Sequence, residues 1–555
     1  MTAKADTKPF VDKGWDSVDW NSVHANVQRL QARIVKAWKD KKYKTVKHLQ
    51  KLLRRSLSAR LLAVKRVTAN NGKKTPGIDG VVWKTSEDKW SAVEQLKSKK
   101  YIPQPMRRIY IPKKNGKKRP LSIPTMRCRG IQNLHLLALD PIAETEGDKY
   151  SYGYRKSRST ADAIQRTECI LSKKSAAQWI LEGDIAGCFD NISHEWLLEH
   201  IPTEKKTLKK WLKAGYMDKK ILHQSVKGSF QGSPISPVLA NMTLDGLEKA
   251  LENKFGKGGT SRGLRYKVHV NRYSDDFYVT GKTKEILEEG VLPTIREFLS
   301  QRGLSLSEEK TQIVHINQGF DFLGKNIKKW NGKLIITPSK SSIKEVKAKV
   351  KDVIMRYRGA CGMKMIKKLN PILKGWVYYH RHTSSSKTFA GLEHYVYTKL
   401  WSWCRRRHPN KSSKWIIKKY FASTKTKNWI FTCKGERIFL PTNVKIIRHR
   451  LIKGKANPYD EEWRAYFDER ETAKLVHSQP KKLKRILERQ EKRCSICGEI
   501  IRTLWDGILH TPGESMTLTG KILISQAKLI HRNCHHTGAF KGPIKMLELL
   551  APKGA

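Results

Sequence analysis

The chain has 555 residues, of which 111 are Lys or Arg and 50 are Asp or Glu, so its formal net charge is +61. This excess is far larger than solubility requires, and it indicates a polyanionic partner bound through phosphate contacts. An aromatic content of 9% with 16 Trp excludes a disordered basic tail and favours several folded basic domains.

No apolar run approaches the roughly 18 to 20 residues of a membrane-spanning helix, and the start at Met1–Asp6 lacks the apolar core of a secretion signal. The acidic residues Asp12, Asp16 and Asp19 argue against a transit peptide. Most of the Cys residues are scattered singly, and the others cluster near the C-terminus. This usage is typical of a reducing compartment with one zinc site, and not of a disulfide framework.

From Val23 to Thr68, apolar residues recur at helical spacing and leave a dense Lys/Arg face. A charged face is usually just solvated. Here, however, Asp40 is the only acid between Lys36 and Arg66. This favours a helical surface that contacts successive phosphates along a nucleic-acid backbone.

A β-hairpin is predicted over Arg107–Leu121, because Asn115-Gly116 is a strong hairpin-turn signal. Cations surround this turn on both strands. The turn is either a solvated basic loop or a finger over a triphosphate, with Lys113 and Arg119 as candidate contacts.

The apolar run from Trp179 predicts a strand that ends at Asp184, with aromatic Phe189 shortly after it. Further on, Gly228–Pro237 is a Gly/Ser/Pro loop that opens a predicted helix over Val238–Leu251. Such a loop allows a nucleotide or template to approach the backbone closely.

A second hairpin is predicted around Tyr273-Ser274-Asp275-Asp276, between β-branched and aromatic arms. An Asp pair in a turn is most often solvated, because Asp hydrogen-bonds its own backbone. Adjacent carboxylates nevertheless repel each other unless a cation binds them, and two Mg²⁺ ions held by shared aspartates suit phosphoryl transfer. Asp184 supplies a third carboxylate from the same sheet, so the sequence predicts a nucleic-acid polymerase.

Leu304–Thr311 and Gly319–Gly324 are predicted to complete this sheet. The composition changes near Pro338, and from Lys340 to about Leu451 the pattern is helical and very basic. Aromatics at helical spacing are more often core than base-stacking platforms, so we assign them mainly to packing. They are Trp376, Tyr378, Tyr379, Tyr395, Tyr397, Trp401 and Trp403.

Near the C-terminus, Cys494 and Cys497 form a Cys-x-x-Cys pair, and His531 and Cys534 form a later His-x-x-Cys pair. These four ligands are the set that a tetrahedral Zn²⁺ takes. The alternative is a group of redox-inactive core cysteines.

The motifs resemble those of group II intron reverse transcriptase/maturases, especially the chloroplast-like lineage, over nearly the whole chain. The segments that carry the resemblance are Leu52–Thr68, Pro76–Gly80, Arg119–Thr125, Ser151–Arg155, Asp184–Asp190, Gln231–Asn241, Tyr273–Asp276, Phe322–Gly324 and Leu369–Trp376. The resemblance implies an α+β fold: a right-hand polymerase whose fingers and palm contain an antiparallel sheet, followed by an α-helical thumb that is the maturase domain.

The resemblance also implies roles for residues of the polymerase site. The expected catalytic residues are the metal-binding Asp184, Asp275 and Asp276, together with Lys310 as a proton donor to pyrophosphate. The expected nucleotide-binding residues are Lys113, Arg119, Ile185 through its backbone, Phe189 as a steric gate that excludes a 2′-OH, Gln231 and Gly232. Without the resemblance, Phe189 is equally well explained as a core aromatic that follows the strand.

Two departures from the family pattern concern this site. Ser274 stands where the family usually has Ala, a change between small residues that should preserve the geometry. Phe230 and Ser233 flank Gln231-Gly232 where Pro and Gly are usual, which would alter nucleotide fit or fidelity. We expect polymerase activity to survive both.

The C-terminal segment resembles a small zinc-binding HNH endonuclease module of ββα type, in which a His-His pair supplies the general base. Asp506 and Gly507 stand in place of this pair, and His510 and His535 are the remaining candidate nuclease residues. A carboxylate is a poor base near neutral pH. We therefore expect a module that contains Zn²⁺, binds DNA and cleaves it weakly or not at all.

Five segments are predicted: a basic RNA-binding extension over 1–75, fingers and palm over 76–335, the maturase/thumb domain over 336–452, a DNA-binding region over 453–490 and the HNH-like domain over 491–555. The resemblance implies a reverse transcriptase and maturase whose partners are intron RNA, target DNA and dNTPs, with no membrane. The expected location is a bacterial cytoplasm, associated with the nucleoid, with an organelle as the alternative. The sequence gives no oligomeric state.

Two competing functions remain. One is a non-enzymatic splicing factor whose polymerase has decayed, against which the three aspartates argue. The other is a retron-type or diversity-generating polymerase, which generally lacks the maturase and DNA-binding segments.

Overall fold

The structure is a computed structural model that describes residues 14–97, 101–112, 116, 118–219, 221–229, 231–424, 427–477, 481–495, 501, 507–510, 528–531 and 544–545. It divides into two compact units. The first comprises Met1–Ser159, Leu181–Ile313 and Ile452–Ala473, and the second comprises Thr160–Ile180, Val314–Leu451 and Lys474–Ala555. Among the described residues, no helix has the length and apolar character that crossing a bilayer requires. The boundaries of the five predicted segments stay a prediction.

The basic N-terminal segment is helical, as predicted. Its helices are α1 (Trp20–Lys39), α2 (Tyr43–Arg55) and α3 (Leu57–Ala69), followed by α4 (Ser86–Gln95) and α5 (Met126–Glu146). The apolar positions of α1 to α3 are buried against α5, whereas most of their Lys and Arg face solvent. The Gln31 side chain also bonds the Leu137 carbonyl of α5 at 2.7 Å.

The predicted basic hairpin forms from β1 (Met106–Pro112) and β2 (Lys118–Ile123), which pair antiparallel. Strand β1 pairs on its other edge with β4 (Tyr216–Asp218), and β4 pairs with β5 (Ile221–His223). Asn115, in the turn of the basic hairpin, lies outside the described residues.

A second sheet has the strand order β6-β7-β3-β8. Its strands are β3 (Trp179–Asp184), β6 (His269–Tyr273), β7 (Asp276–Gly281) and β8 (Gln312–His315). The prediction that Gly319–Gly324 completes this sheet is wrong. That segment contains β9 (Phe320–Phe322), which turns back through left-handed Leu323 and Gly324 to pair with β10 (Lys325–Trp330), and β10 pairs with β11 (Lys333–Pro338).

Short helices flank the second sheet. They are α7 (Cys188–Asn191), α8 (His194–His200), α9 (Lys205–Leu212), α10 (Ser236–Leu244), α11 (Leu247–Phe255), α12 (Ser261–Tyr266), a π-helical turn (Ile286–Val291) and α13 (Leu292–Ser300). The single helix predicted over Val238–Leu251 is wrong, because the chain breaks at Asp245 and Gly246. Gly246 takes a φ of 97° and its N–H donates to the Asp148 carboxylate, while the Asp245 side chain pairs with Arg272.

The second unit is mainly helical. It contains α6 (Thr160–Leu171), α14 (Lys340–Arg356), α15 (Gly362–His380), α16 (Ser386–Arg407), α17 (Ser413–Tyr420) and the short strands β12 (Phe421–Ala422), β13 (Ile430–Cys433) and β14 (Glu436–Arg437). The helical pattern predicted up to about Leu451 therefore ends at Tyr420, after which the chain forms β12 to β14 on the helical core.

The aromatic residues of this unit serve mainly in packing, as predicted. Trp403 is buried, and four others pack against the core in partly buried positions. These four are Trp376, Tyr395, Tyr397 and Trp401. Tyr378 and Tyr379 differ, because each keeps about two fifths of its surface exposed (39% and 40%).

Lys325 of β10 is almost completely buried, and its Nζ lies 3.3 Å from the Tyr379 carbonyl oxygen and 4.0 Å from the Tyr379 ring centroid. Burial disfavours the ammonium form and lowers the Lys325 pKa from 10.5 to about 7. Between these values the unfolded chain binds a proton that the folded chain does not, so stability rises with pH by about 1.4 kcal/mol per unit at most.

We expect Lys325→Met to stabilise the protein at pH 7, because it removes the cost of burying an amine. The stability difference between the variant and wild type should shrink as the pH rises from 7 to 9, because wild type becomes more stable over this range and the variant does not. Unfolding midpoints at three pH values measure this, with Lys328→Met on the same strand as control. An advantage that stays constant with pH would contradict it.

The C-terminal residues that the structure describes form α18 (Arg464–His477), α19 (Lys481–Arg489) and a sheet with the order β16-β15-β17. The strands are β15 (Gly507–His510), β16 (Lys528–His531) and β17 (Ile544–Lys545). Cys494 is buried, but Cys497, Cys534 and His535 lie outside the described residues. The zinc and nuclease expectations therefore stay predictions.

Candidate active site

Strand β3 carries Asp184 at its end. An isolated β-bridge joins the next residue, Ile185, to Leu306, and the Ser307 N–H donates to the Asp184 carbonyl over 2.8 Å. The Lys310 N–H then donates to the Ser307 carbonyl at 3.1 Å. These bonds fix Lys310 beside the end of the strand, where its Nζ donates to Asp184 Oδ2 at 2.7 Å.

Asp275 and Asp276 lie where β6 turns into β7, as predicted. Tyr273 pairs with Asp276, so the hairpin is tight. Ser274 takes a left-handed φ of 63° and is buried, and a left-handed residue is a common feature of such short turns.

The backbone at Gly153 packs directly on this turn. The neighbouring Tyr152 N–H donates to the Arg272 carbonyl at 2.9 Å. A Cβ on Gly153 would lie 2.9 Å from the carbonyl carbon of Tyr273, and closer still to the Ser274 nitrogen. No side chain fits at this position without moving the turn that presents the two aspartates.

The carboxylates at the end of β3 and at the β6–β7 turn interact electrostatically with one another. Asp276 is accessible to solvent, but the protein atoms around it weaken the hydration of its carboxylate, and this is the largest cause of its raised pKa. Repulsion from Asp275, Asp184 and Glu182 adds to the rise and the Lys310 ammonium opposes it, so that the resulting pKa is about 7. The strand and the hairpin therefore bring an excess of negative charge to one place.

The donor set fits a hard divalent cation, because carboxylate oxygens are the ligands that Mg²⁺ takes and their mutual repulsion favours a cation between them. Asp184, Asp275 and Asp276 would hold it. In the part of the chain that the structure describes, however, no three acidic, His or Cys side chains stand close enough to enclose a metal ion. The Lys310 ammonium contacts Asp184 instead.

The predicted nucleotide loop is anchored on both sides. The Ser122 N–H of β2 donates to the Gln231 carbonyl at 2.7 Å, and the Ser229 N–H donates to the Phe189 carbonyl of α7 at 2.6 Å. Gly232 has a φ of 108°, and a Cβ there would lie 2.5 Å from the Ser122 carbonyl oxygen. The loop is thus held between β2 and α7 by its backbone.

The structure places most of the other predicted nucleotide contacts. Arg119 lies on β2, opposite Ile111 in the register, and Phe189 is buried with 8% of its surface exposed. Ile185 is also buried. Lys113 and Phe230 lie outside the described residues.

Tyr154 is affected by charges on both the aspartate turn and the basic hairpin, although no individual role was predicted for it. Its side chain is 59% exposed at a left-handed backbone position. Partial burial raises its pKa, the Asp275 charge raises it further and the Arg119 charge lowers it. Tyr154 therefore lies within electrostatic reach of both the aspartate turn and the basic hairpin.

Glu182 was not predicted as a residue near the site, although its spacing from Asp184 indicates it. It precedes Asp184 by two residues in β3, and residues two apart in a strand face the same side of a sheet. Its Oε1 accepts a hydrogen bond from Gln312 Nε2 at 2.9 Å.

Three segments match known protein families. Residues 15–96 match the N-terminal domain of reverse transcriptase, residues 111–327 match reverse transcriptase (RNA-dependent DNA polymerase), and residues 343–421 match the maturase-specific domain of group II introns. Protein YkfC of Escherichia coli (strain K12) is 34% identical over 314 residues, which are 50% of this chain and 82% of that protein.

The chain belongs to the group II intron reverse transcriptase/maturase family. The group II intron-encoded protein LtrA of Lactococcus lactis subsp. cremoris is 32% identical over 328 residues, 48% of this chain. The chain spans about half of LtrA (54%). A 91 kDa protein in the cob intron of Schizosaccharomyces pombe is 29% identical, over 48% of this chain and 40% of that protein.

Among solved structures, telomerase from Candida albicans in complex with a telomeric RNA fragment is similar at a TM-score of 0.33 and 12% identity, over 55% of this chain and 59% of that chain. So low a score supports no inference. The family matches confirm the reverse transcriptase and maturase predictions, so the chain is an RNA-directed DNA polymerase with a maturase domain. The lineage and the nuclease module stay predictions, as do the roles of the individual site residues.

Proposed function

We propose that this protein binds its own group II intron RNA, promotes splicing and reverse splicing into DNA, and copies the intron by target-primed reverse transcription. The observation that supports the polymerase step is the electrostatic coupling of Asp276 to Asp275 and Asp184, which come from two elements of one sheet. The maturase-specific match over residues 343–421 supports intron RNA as the partner.

In this proposal Asp184, Asp275 and Asp276 bind Mg²⁺, with the Ile185 carbonyl as a further ligand. When bound there, Mg²⁺ would supply the positive charge that activates a primer 3′-hydroxyl and stabilises a leaving pyrophosphate. Lys310, held near the site by its 2.7 Å bond to Asp184, donates a proton to pyrophosphate as it leaves.

In this proposal the basic hairpin and the nucleotide loop orient the substrate. Lys113 and Arg119 bind the triphosphate of the dNTP, and Gln231 and Gly232 line the space for the nucleotide. Because the loop is fixed by backbone bonds to Ser122 and Phe189, it positions the nucleotide without first becoming ordered.

Basic surfaces bind the nucleic acids. The exposed Lys and Arg of α1 to α3 and of the maturase domain contact phosphates of the intron RNA, and target DNA binds the region over 453–490. Binding should weaken steeply with salt, since each phosphate contact releases counterions. We propose a bacterial cytoplasmic location, associated with the nucleoid.

Primer extension on an RNA template tests the polymerase step, with Asp275→Asn as the inactive control. We expect wild type to incorporate dNTPs and the variant to lose this activity while it still binds intron RNA. If wild type incorporates no dNTP but still promotes splicing, the protein is a non-enzymatic splicing factor instead.

Phe189→Ala is expected to raise the use of rNTPs relative to dNTPs by about 10- to 100-fold, because removing a steric barrier to the 2′-OH forfeits roughly 1–3 kcal/mol of discrimination. Paired primer extensions with each nucleotide class measure the ratio. Phe298→Ala is the matched control, since Phe298 is equally buried (8% exposed) on α13. An unchanged ratio in Phe189→Ala would refute the steric gate.

For the C-terminal segment we propose one Zn²⁺ bound by Cys494, Cys497, His531 and Cys534, in a module that binds DNA and nicks it weakly or not at all. Burial of Cys494 and the pairing of β15 with β16 support a folded module. Metal analysis should find zinc in wild type and a loss of it in Cys494→Ser.

The nuclease part of this proposal has a separate test. Purified ribonucleoprotein should insert its RNA into DNA without cutting the opposite strand, because Asp506 and Gly507 stand in place of the His pair. The primer would then come from elsewhere, for example from a nascent strand at a replication fork. Efficient opposite-strand cutting that His510→Ala abolishes would contradict this.

A further inference from the structure

Two cysteines meet in the second, mainly helical unit, and neither was given a role above. Cys361 occupies the N-cap position of α15, and Cys433 is the last residue of β13. Their Sγ atoms lie 3.8 Å apart. Both are free thiols, and both are partly exposed to solvent.

The surroundings of Cys361 favour its thiolate. The Met363 backbone N–H in the first turn of α15 lowers its pKa most, and the Cys433 thiol and the charges of Lys434 and Arg407 lower it further. The Arg407 guanidinium is held nearby, because it donates to the Ala360 carbonyl at 3.0 Å. A thiolate at a helix N-terminus beside cations is the reactive form of cysteine.

Cys433 is suited to resolve an oxidised Cys361. Burial raises its pKa, so it stays a thiol. Gly362 follows Cys361 and has no side chain. A Cβ there would lie only 3.1 Å from the Cys433 Cβ, so Cys433 packs closely on the backbone next to Cys361. A third cysteine, Cys404, also lies near Cys433, but it is fully buried and its pKa is raised to about 12, so it should react slowly.

We propose that Cys361 and Cys433 are an oxidisable dithiol that closes to a reversible disulfide when the protein meets a peroxide. The inference goes beyond the proposed polymerase and maturase function. It rests on the sulfur–sulfur distance and on the position of Cys361 at the start of α15.

The chemistry proceeds in two steps. The Cys361 thiolate attacks one peroxide oxygen, the O–O bond breaks, and a sulfenic acid forms with release of hydroxide. The Cys433 sulfur then attacks the Cys361 sulfur, so that the S–S bond forms and the S–O bond breaks, and the Cys433 proton leaves in water. The hydroxide takes up the proton that Cys361 released when it ionised, so two electrons from the two thiols have reduced one hydrogen peroxide to two waters.

The disulfide would fasten the start of α15 to β13. Helix α15 already contacts the neighbouring strand β14 and the residues after it, where Asn370 Nδ2 donates to the Arg437 carbonyl at 2.9 Å and the Phe439 N–H donates to Asn370 Oδ1 at 2.7 Å. A covalent link adds to an existing contact and requires no rearrangement of the domain core.

The test treats reduced, full-length protein with hydrogen peroxide, blocks the remaining thiols with N-ethylmaleimide and maps the peptides without reduction. We expect a Cys361–Cys433 peptide in most molecules, which dithiothreitol removes. Cys169→Ser, which removes an exposed thiol, should leave the link intact, and Cys361→Ser should abolish it.

A second variant keeps the proposal testable if Cys361→Ser folds poorly. In Cys433→Ser the resolving thiol is missing, so Cys361 should accumulate as a sulfenic acid that dimedone traps in larger yield than in wild type. Oxidation of Cys361 and Cys433 to separate acids in wild type, or a link from Cys433 to Cys404, would overturn the proposal.

Discussion

Asp184→Asn is expected to lower dNTP incorporation on an RNA template by at least about 100-fold, since even groups that only support a metal ligand cost 10- to 100-fold when removed. The substitution keeps the size of the side chain and removes its charge. The Asp184 carboxylate accepts a hydrogen bond from the Lys310 ammonium, and its charge contributes to the raised pKa of Asp276. Removing this charge therefore changes the electrostatics of the whole site. Single-nucleotide extension at saturating Mg²⁺ measures the loss.

Glu182→Gln is the matched control for this experiment, because it removes the same charge from the same face of β3. Glu182 also raises the Asp276 pKa, but its carboxylate bonds Gln312 and is not an expected ligand. We expect a loss of less than about tenfold, which is below the range for a group that supports a metal ligand, because the Glu182 carboxylate bonds Gln312 and not one of the expected ligands. Equal losses in the two variants would mean that total negative charge matters and that Asp184 has no special role. Intron RNA binding should be unchanged in both.

The sequence predicted those parts of the site that depend on local pattern. An apolar run from Trp179 located β3, and two Asp residues between β-branched and aromatic arms located the β6–β7 turn. These signals lie within about ten residues of the side chains that they position, as is usual for strands and tight turns.

The rest depends on contacts between distant segments, which local pattern does not contain. The packing of Gly153 on Ser274 brings together residues that are far apart in the chain. The break in the helix predicted over Val238–Leu251 also has a distant cause, since Asp245 turns out of helical register to pair with Arg272. Helix propensity alone favoured continuation, and the buried ion pair overrode it.

Buried Arg272 is expected to have a large effect on the stability of the protein. Its Nη2 lies 2.5 Å from Asp245 Oδ1 and 3.8 Å from Asp148 Oδ2, and its Nη1 lies 3.4 Å from both the Asn241 side-chain oxygen and the Ser274 carbonyl. This one guanidinium therefore neutralises two acids and supports the turn before Asp275.

Arg272→Met is expected to destabilise the protein by about 3–5 kcal/mol, because removing one partner of a buried ion pair leaves an uncompensated charge. Urea unfolding followed by tryptophan fluorescence measures the loss. Arg296→Met is the control, since Arg296 pairs with Glu308 at 3.0 Å on the exposed surface, and exposed pairs contribute about 0–1 kcal/mol. Comparable losses in the two variants would refute the assignment.

The loss in Arg272→Met should also depend on pH, in a direction that identifies its cause. Burial raises the Asp245 pKa and the Arg272 charge lowers it, so without Arg272 the folded-state pKa of Asp245 should rise further above its unfolded value of 3.8. In that interval the folded protein keeps a proton that the unfolded chain has released, so stability falls as the pH rises. The destabilisation should thus be smaller at pH 5 than at pH 8. Adding Asp245→Asn to Arg272→Met should weaken this pH dependence, because an amide does not titrate and only Asp148 then remains of the two acids that Arg272 faces, and it should recover part of the stability at pH 8.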